Sequence, residues 1–136
     1  MADVNGNTRK ARMFSDLDFN FTAHPVTGDV ARKYDENAIK ASVKNLLMTG
    51  HYERPFHSEI GSPIRQLLFE PASPMTLVAM KQAITDVITN FEPRVSIIDL
   101  QLFDNLDNNA VAVTLVFKIK NTTAPIKLDL VLERTR

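Results

Sequence analysis

The sequence contains no cysteine. Disulfides and thiolate metal sites are therefore excluded, and cysteine usage cannot indicate a compartment. Glycine is scarce: the four present are scattered singly, so there is no Gly-rich phosphate loop. Net charge is also lacking. The 16 lysines and arginines balance 16 acids, which removes any global pull toward nucleic acid or an anionic membrane. The longest apolar runs, such as Ala110 to Phe117, are too short to span a bilayer. Residues 1–12 have no apolar signal core, so no secretion signal is expected. No Gly-x-Ser-x-Gly elbow occurs either.

What is present is an ordinary globular composition, 44% hydrophobic and 24% charged over 136 residues. That length predicts one domain able to bury roughly two-thirds of its unfolded surface. Residues 1–13 read as a flexible polar arm, with residues 14–136 as the single domain. The cluster Arg9-Lys10-Ala11-Arg12 could touch phosphate, but short basic clusters at termini are more often solvated.

The pattern along the chain predicts an α+β fold. Asp16 to Phe21 alternates with a period of two, which places Leu17, Phe19 and Phe21 on one face of a half-buried strand. The turn His24-Pro25-Val26-Thr27-Gly28-Asp29 and an extended piece from Val30 complete an N-terminal hairpin. Asp35 is an expected N-cap, and Ile39, Val43, Leu46 and Leu47 then form one apolar helical stripe ending at Gly50 as C′ residue. The loop from His51 to Gly61 holds Tyr52 and Phe56, and is expected to pack down. Ser62-Pro63 and Ser73-Pro74 each read as a cap followed by Pro at N1. They open a short helix, Pro63 to Phe69, and a long one from Pro74 to about Asn90. Three strands follow: Arg94–Asp104 with a phase change at Ile97-Ile98, Ala110–Lys120, and a last one carrying Ile126, Leu128, Leu130 and Leu132 on one face. A polar turn from Asp104 to Asn109 joins the first two. The sum is two to three helices and an N-terminal hairpin packed on a C-terminal three-stranded antiparallel meander.

Chemistry is hard to find. His51 and His57 lie six residues apart in one loop, a weak metal pair against the commoner reading of loop histidines. Glu59 with Glu70 or Glu92 could be paired as a glycosidase acid and base, but any chain with 16 acids offers such pairs. No cofactor, no metal and no catalytic residue is expected. The tail Glu133-Arg134-Thr135-Arg136 reads as solvated.

The stretch Asn90-Phe91-Glu92-Pro93-Arg94-Val95 stands out, because a charged Glu-Pro-Arg corner replaces the usual Gly, Asn, Asp or Ser. Two readings are open for it: Glu92 and Arg94 pin the corner internally, or they face a partner. Five other segments accompany it: Arg54-Pro55-Phe56, Glu59-Ile60-Gly61, Leu67-Leu68-Phe69-Glu70, the opening Phe14 to Phe19, and His24 to Asp29. Together these resemble the small baseplate wedge protein of contractile phage tails, the gene-twenty-five-like or sheath initiator family. Relatives of that family occur in type VI secretion and other contractile injection baseplates. The resemblance runs from Phe14 to the end and leaves the basic arm uncovered.

The resemblance implies a non-enzymatic structural protein of the virion tail baseplate, made in the host cytoplasm. It assigns Glu92, Pro93 and Arg94 to an interface with the helical core bundle of other baseplate wedge proteins. It places a sheath-receiving edge within Val111–Ile119 and Ile126–Glu133, involving Val113, Leu115, Phe117, Leu128, Leu130 and Leu132. The implied partners are those wedge proteins, the tail sheath protein, and tail tube or hub proteins. No small-molecule substrate, nucleic acid or membrane insertion is implied. Alternatives are a lysozyme-like cell-wall hydrolase, for which these residues give no support, or the equivalent component of a bacterial injection system.

Overall fold

The computed structural model describes residues 12–105 and 109–134. The expected arm up to residue 11, the centre of the polar turn at 106–108, and residues 135–136 lie outside the described residues. The fold is α+β, with the chain divided into two compact units, Met1–Ile39 and Lys40–Arg136.

The first unit carries a hairpin of β1 (Ser15–Leu17) and β2 (Arg32–Tyr34), antiparallel with Ser15 opposite Tyr34. Its turn is held by the His24 N–H on Asp29 O, and by Gly28 at φ +69°. Asp18 is the polar hub of this unit. It accepts from Lys33 Nζ at 3.0 Å and from Thr22 Oγ1 at 2.8 Å. The Lys33 ammonium first, then the Thr22 hydroxyl, hold its carboxyl below the usual range. The Arg12 guanidinium lies 3.9 Å from the Tyr34 ring centroid. Contrary to expectation, Leu17, Phe19 and Phe21 do not form a buried face: all three are more than half exposed. Strand β1 stops at Leu17, so the period-two pattern outlasts the strand that would have used it.

Helix α1 (Asp35–Met48) buries Ile39, Val43, Leu46 and Leu47, the expected stripe. Asp35 Oδ1 accepts the N–H groups of Met13 and Phe14. Gly50 follows the helix without a left-handed φ. It lies instead in a close crossing, because a Cβ on Gly61 would sit 2.5 Å from Gly50 O. Helix α2 (Ile64–Leu68) buries Ile64 and Leu68. Ser62 does not cap it; its hydroxyl donates to Leu47 O at 2.8 Å, leaving Pro63 in the cap position. Helix α3 (Pro74–Phe91) starts as expected, with Ser73 Oγ accepting from Thr76 N and Pro74 at N1.

Strands β3 (Val95–Asn105), β4 (Ala110–Ile119) and β5 (Pro125–Glu133) form the antiparallel meander, in the order β3-β4-β5. The register shifts between Ile97 and Asp99, where the alternation changes phase. One sheet face carries the core residues Leu100, Val113, Leu115, Phe117, Leu130 and Leu132. Helix α3 packs against β3, and α2 against α3. On the opposite face Phe103 and Val131 are exposed.

Phe117 is fully buried on the central strand, so Phe117→Ala is expected to lower unfolding free energy by roughly 3–5 kcal/mol. Phe103→Ala, on the exposed face, should change it by less than about 0.5 kcal/mol. Urea denaturation of both variants measures the contrast.

Candidate functional site

Two features stand out: the corner between α3 and β3, and the outer edge of β5.

At the corner, α3 closes with the Glu92 N–H on Ile88 O, and a tight turn follows in which Val95 N donates to Glu92 O. Pro93 fixes the turn from its exposed outer side. The Glu92 carboxylate is only 3% exposed and is engaged at both oxygens. Arg94 Nε donates to Oε1 at 2.6 Å, and Arg94 Nη2 donates to Oε2 at 2.7 Å. Ser42 Oγ on α1 adds a third bond to Oε2 at 2.6 Å. This is the bidentate guanidinium–carboxylate geometry that makes such pairs strong. Arg94 O then accepts from Lys120 N, so the residue that neutralises Glu92 also extends the β3–β4 ladder. The corner thus joins α1, α3, β3 and the end of β4. Of the two readings left open, internal pairing is what the isolated chain adopts. The Glu92 side chain is only 4% exposed, whereas that of Arg94 is 37% exposed.

Burial alone pushes the Glu92 carboxyl up, but the hydrogen bonds from Arg94 and Ser42 and the Arg94 charge outweigh it, and the group is held below its usual range. Ser42 carried no signal in the sequence: a serine at mid-helix reads as neutral, and only the fold brings it 50 residues forward to Glu92.

The geometry of the β5 edge follows from two hydrogen bonds. Arg134 N donates to Asn109 O, one step beyond the pair Ala110 and Glu133. Antiparallel pairs alternate between bonded and non-bonded. Val111–Leu132, Val113–Leu130, Leu115–Leu128 and Phe117–Ile126 are therefore the bonded pairs of the register. The backbone groups of Lys127, Asp129, Val131 and Glu133 accordingly point away from β4. On the other side Lys120 N bonds Arg94 O, so the even-numbered residues of β4 serve β3. Strand β4 is thus saturated on both sides. The expectation of a receiving edge within Val111–Ile119 is corrected: Val113, Leu115 and Phe117 are core residues of a central strand.

Strands β3 and β5 are the two outer strands, and they differ. On β3 the outward N–H of Leu100 is taken by Asp99 Oδ1 at 2.9 Å, and the strand is bulged. Leu77, Val78 and Lys81 of α3 stand beside Leu100 to Phe103 around one depression. Beside β5 runs a groove of about 440 Å³, lined by Leu47, Met48, Ile64, Leu68 and Phe69, with Arg65 and residues 131–134. Leu130 and Leu132 are buried on the core face; Leu128 is half-buried.

At one end of the groove Arg134 Nη2 meets Asp104 Oδ2 at 3.4 Å, both side chains mostly buried. Asp104 Oδ1 and Arg134 Nε have no hydrogen-bond partner among the described residues. The expectation of a solvated tail thus fails at Arg134, because β5 ends with that side chain on the core face. The catalytic alternatives find no support in the geometry. Glu92 is consumed at the corner, and Glu59 pairs with His57 in an exposed loop. Among the described residues no three His, Asp or Glu side chains converge as metal ligands, and no helix is long and apolar enough to cross a membrane.

Removing the Arg94 side chain leaves the buried carboxylate with the Ser42 hydroxyl and the backbone N–H of residue 94, and no countercharge. Arg94→Ala is therefore expected to destabilise the chain by about 3 kcal/mol, the low end for a broken buried pair because Arg94 is partly exposed. A depressed carboxyl stabilises the fold above its unfolded value, near 4.5, and loses that contribution as pH falls through the folded value. The stability gap between wild type and Glu92→Gln should thus be constant above about pH 5.5 and shrink below about pH 4.5. Denaturant titrations across that range read it; a gap that grows on acidification contradicts the pairing.

Comparison with known proteins was consistent with this architecture. A family model described as "Baseplate wedge protein gp25" matches residues 33–124. The baseplate wedge protein gp25 of Enterobacteria phage T4 is 26% identical over 119 residues, covering 88% of this chain and 85% of that protein. Among solved structures, a chain of the anti-feeding prophage baseplate has a TM-score of 0.63 at 19% identity, covering 90% of this chain and 87% of that one. A chain of the postcontracted pyocin R2 baseplate has a TM-score of 0.61 at 20% identity, covering 78% and 98%. A protein titled putative tail lysozyme, from Geobacter sulfurreducens, has a TM-score of 0.66 at 16% identity, covering 72% and 89%. At these identities the structural likenesses speak to the fold alone. The family match spans well over half of the sequence, and the chain belongs to the baseplate wedge protein gp25 family.

Proposed function

We propose that this chain is a non-enzymatic structural component of a contractile tail baseplate that joins wedge proteins to the sheath. The observation that carries the sheath half is the β5 edge: outward backbone groups at Lys127, Asp129, Val131 and Glu133, with an apolar groove beside the last three residues of the strand. An added strand gains main-chain hydrogen bonds on such an edge, and its alternate side chains enter the groove. The difference between the two outer strands supports β5 as the receiver, since β3 is bulged and has its Leu100 N–H already taken. An uncovered edge is an aggregation hazard in a free chain, a hazard removed when a partner always covers it.

The wedge half rests on the corner. Glu92 is a positioning residue: it fixes the Arg94 fork, and Pro93 with the exposed side of Arg94 makes the contact with the wedge core bundle. A preordered corner loses little entropy on docking. The sheath protein and neighbouring wedge proteins are thus the proposed partners, and the tail baseplate the proposed location. A hydrolase reading is not favoured. The lysozyme name belongs to another protein, and of the carboxylates considered as an acid and base, Glu92 is buried in its ion pair while Glu59 and Glu70 are exposed.

Proline substitution tests the edge. Val131 presents its N–H outward, so Val131→Pro should fold with wild-type stability, as edge strands tolerate proline. Baseplates built with it are expected to lack sheaths in electron micrographs. Leu130→Pro, which removes a ladder bond to β4, should instead prevent folding. Sheaths of normal length on Val131→Pro baseplates would refute the proposed edge.

A further inference from the structure

Between α1 and α2 the chain makes a loop whose ends nearly touch. Gly50 and Ser62 form a parallel bridge, and Ser62 N donates to Thr49 O at 2.8 Å. The approach is close enough that only glycine fits at position 61, where φ is +152°. Inside the loop, Tyr52 N donates to Ser58 O, Ile60 N donates to His57 O, and Gly50 N donates to Glu53 Oε2. Glu53 also pairs with Arg65 at 3.1 Å on α2. The loop is therefore cross-braced.

Sequence reasoning predicted that its aromatics pack down; they do the opposite. Phe56 is fully exposed, and Tyr52 is 83% exposed. Both sit in the left-handed region, at φ +69° and +68°. A bulky side chain there is a conformational outlier. Such outliers persist only where the surroundings over-determine them, and they cluster at binding sites. The Tyr52 ring lies tilted against His51, 6.3 Å between centroids, and the Phe56 ring is fully exposed.

The charges say what would meet them. Glu53 pairs with Arg65, and Glu59 lies in hydrogen-bond contact with His57 at 3.2 Å. Arg54, between the two aromatics, has no ion pair or hydrogen bond among the described residues. We infer that this loop is a preformed docking knob for another protein: Phe56 enters an apolar pocket, and Arg54 meets an acidic rim. Aromatic residues and arginine seated in a pocket are the usual anchors of protein interfaces, and a knob that is already rigid loses little entropy on binding. A membrane surface fits less well. Anionic lipid calls for clustered positive charge, and here Glu53 and Glu59 stand among the cations. The surface is separate from the β5 groove and does not depend on strand addition.

The test places a photoreactive phenylalanine analogue at position 56 in baseplates assembled from the full set of baseplate proteins. The expected product is one cross-link to a different baseplate protein, in a peptide with Asp or Glu close to apolar residues. Phe56→Ala and Arg54→Glu should each lower incorporation of the chain into purified baseplates about tenfold or more at limiting concentration, with unchanged melting temperature. Lysine in place of the acidic residue of the cross-linked peptide should restore Arg54→Glu. The cross-link should survive in Val131→Pro baseplates, which separates this knob from the sheath edge. Cross-linking to lipid, to a second copy of this chain, or to nothing would overturn the inference, as would wild-type incorporation of Phe56→Ala.

Discussion

The buried carboxylate of Glu92 is the constraint on which the corner depends. An ionised group with 3% exposure is tolerated only with its charge and lone pairs answered. Here one arginine two residues away supplies two bonds, and Ser42 of α1 supplies the third. The arrangement sets the exit angle of α3, the start of β3, and the first rung toward Lys120. Pro93 contributes by forbidding the helix to continue. A local charged triplet thereby positions an entire sheet, whose two outer strands then acquire different fates.

That difference is a matter of hydrogen-bond phase. Once Arg134 and Lys120 are placed, the outward groups of β5 follow from alternation, and those of β3 follow once its change of phase at the bulge is counted. The bulge after Ile97 and the carboxylate of Asp99 blunt one side. The other side is left regular over nine residues, and its last three lie beside apolar side chains from the end of α1 and from α2. Regularity, an open ladder and a neighbouring groove form a coherent set. In a protein that worked alone, each would be a liability.

Much of this was legible in the sequence. The α1 stripe, the Ser73-Pro74 start of α3, the stop before Pro93, and the phase change at Ile97-Ile98 all follow from short-range rules, and all appear in the fold. The meander was legible too. It already implied that β4 is central, so an edge on Val111–Ile119 conflicted with the topology expected for the same strands. Other features needed tertiary information. Ser42 meets Glu92 across 50 residues, and Asp104 meets Arg134 across 30; no spacing rule reaches that far. Tyr52 and Phe56 misled for a different reason: aromatic content predicts burial on average, and interface residues are where that average fails.

The central claim is that β5 is completed by a strand from a partner. A cryo-electron microscopy map of the assembled baseplate with its first sheath ring tests this most directly. The account predicts a fourth strand hydrogen-bonded to the outward backbone of Lys127, Asp129, Val131 and Glu133, with alternate side chains in the groove beside Leu47 and Leu68. A bare β5 edge in that assembly, or a strand added beside β3 instead, would contradict it.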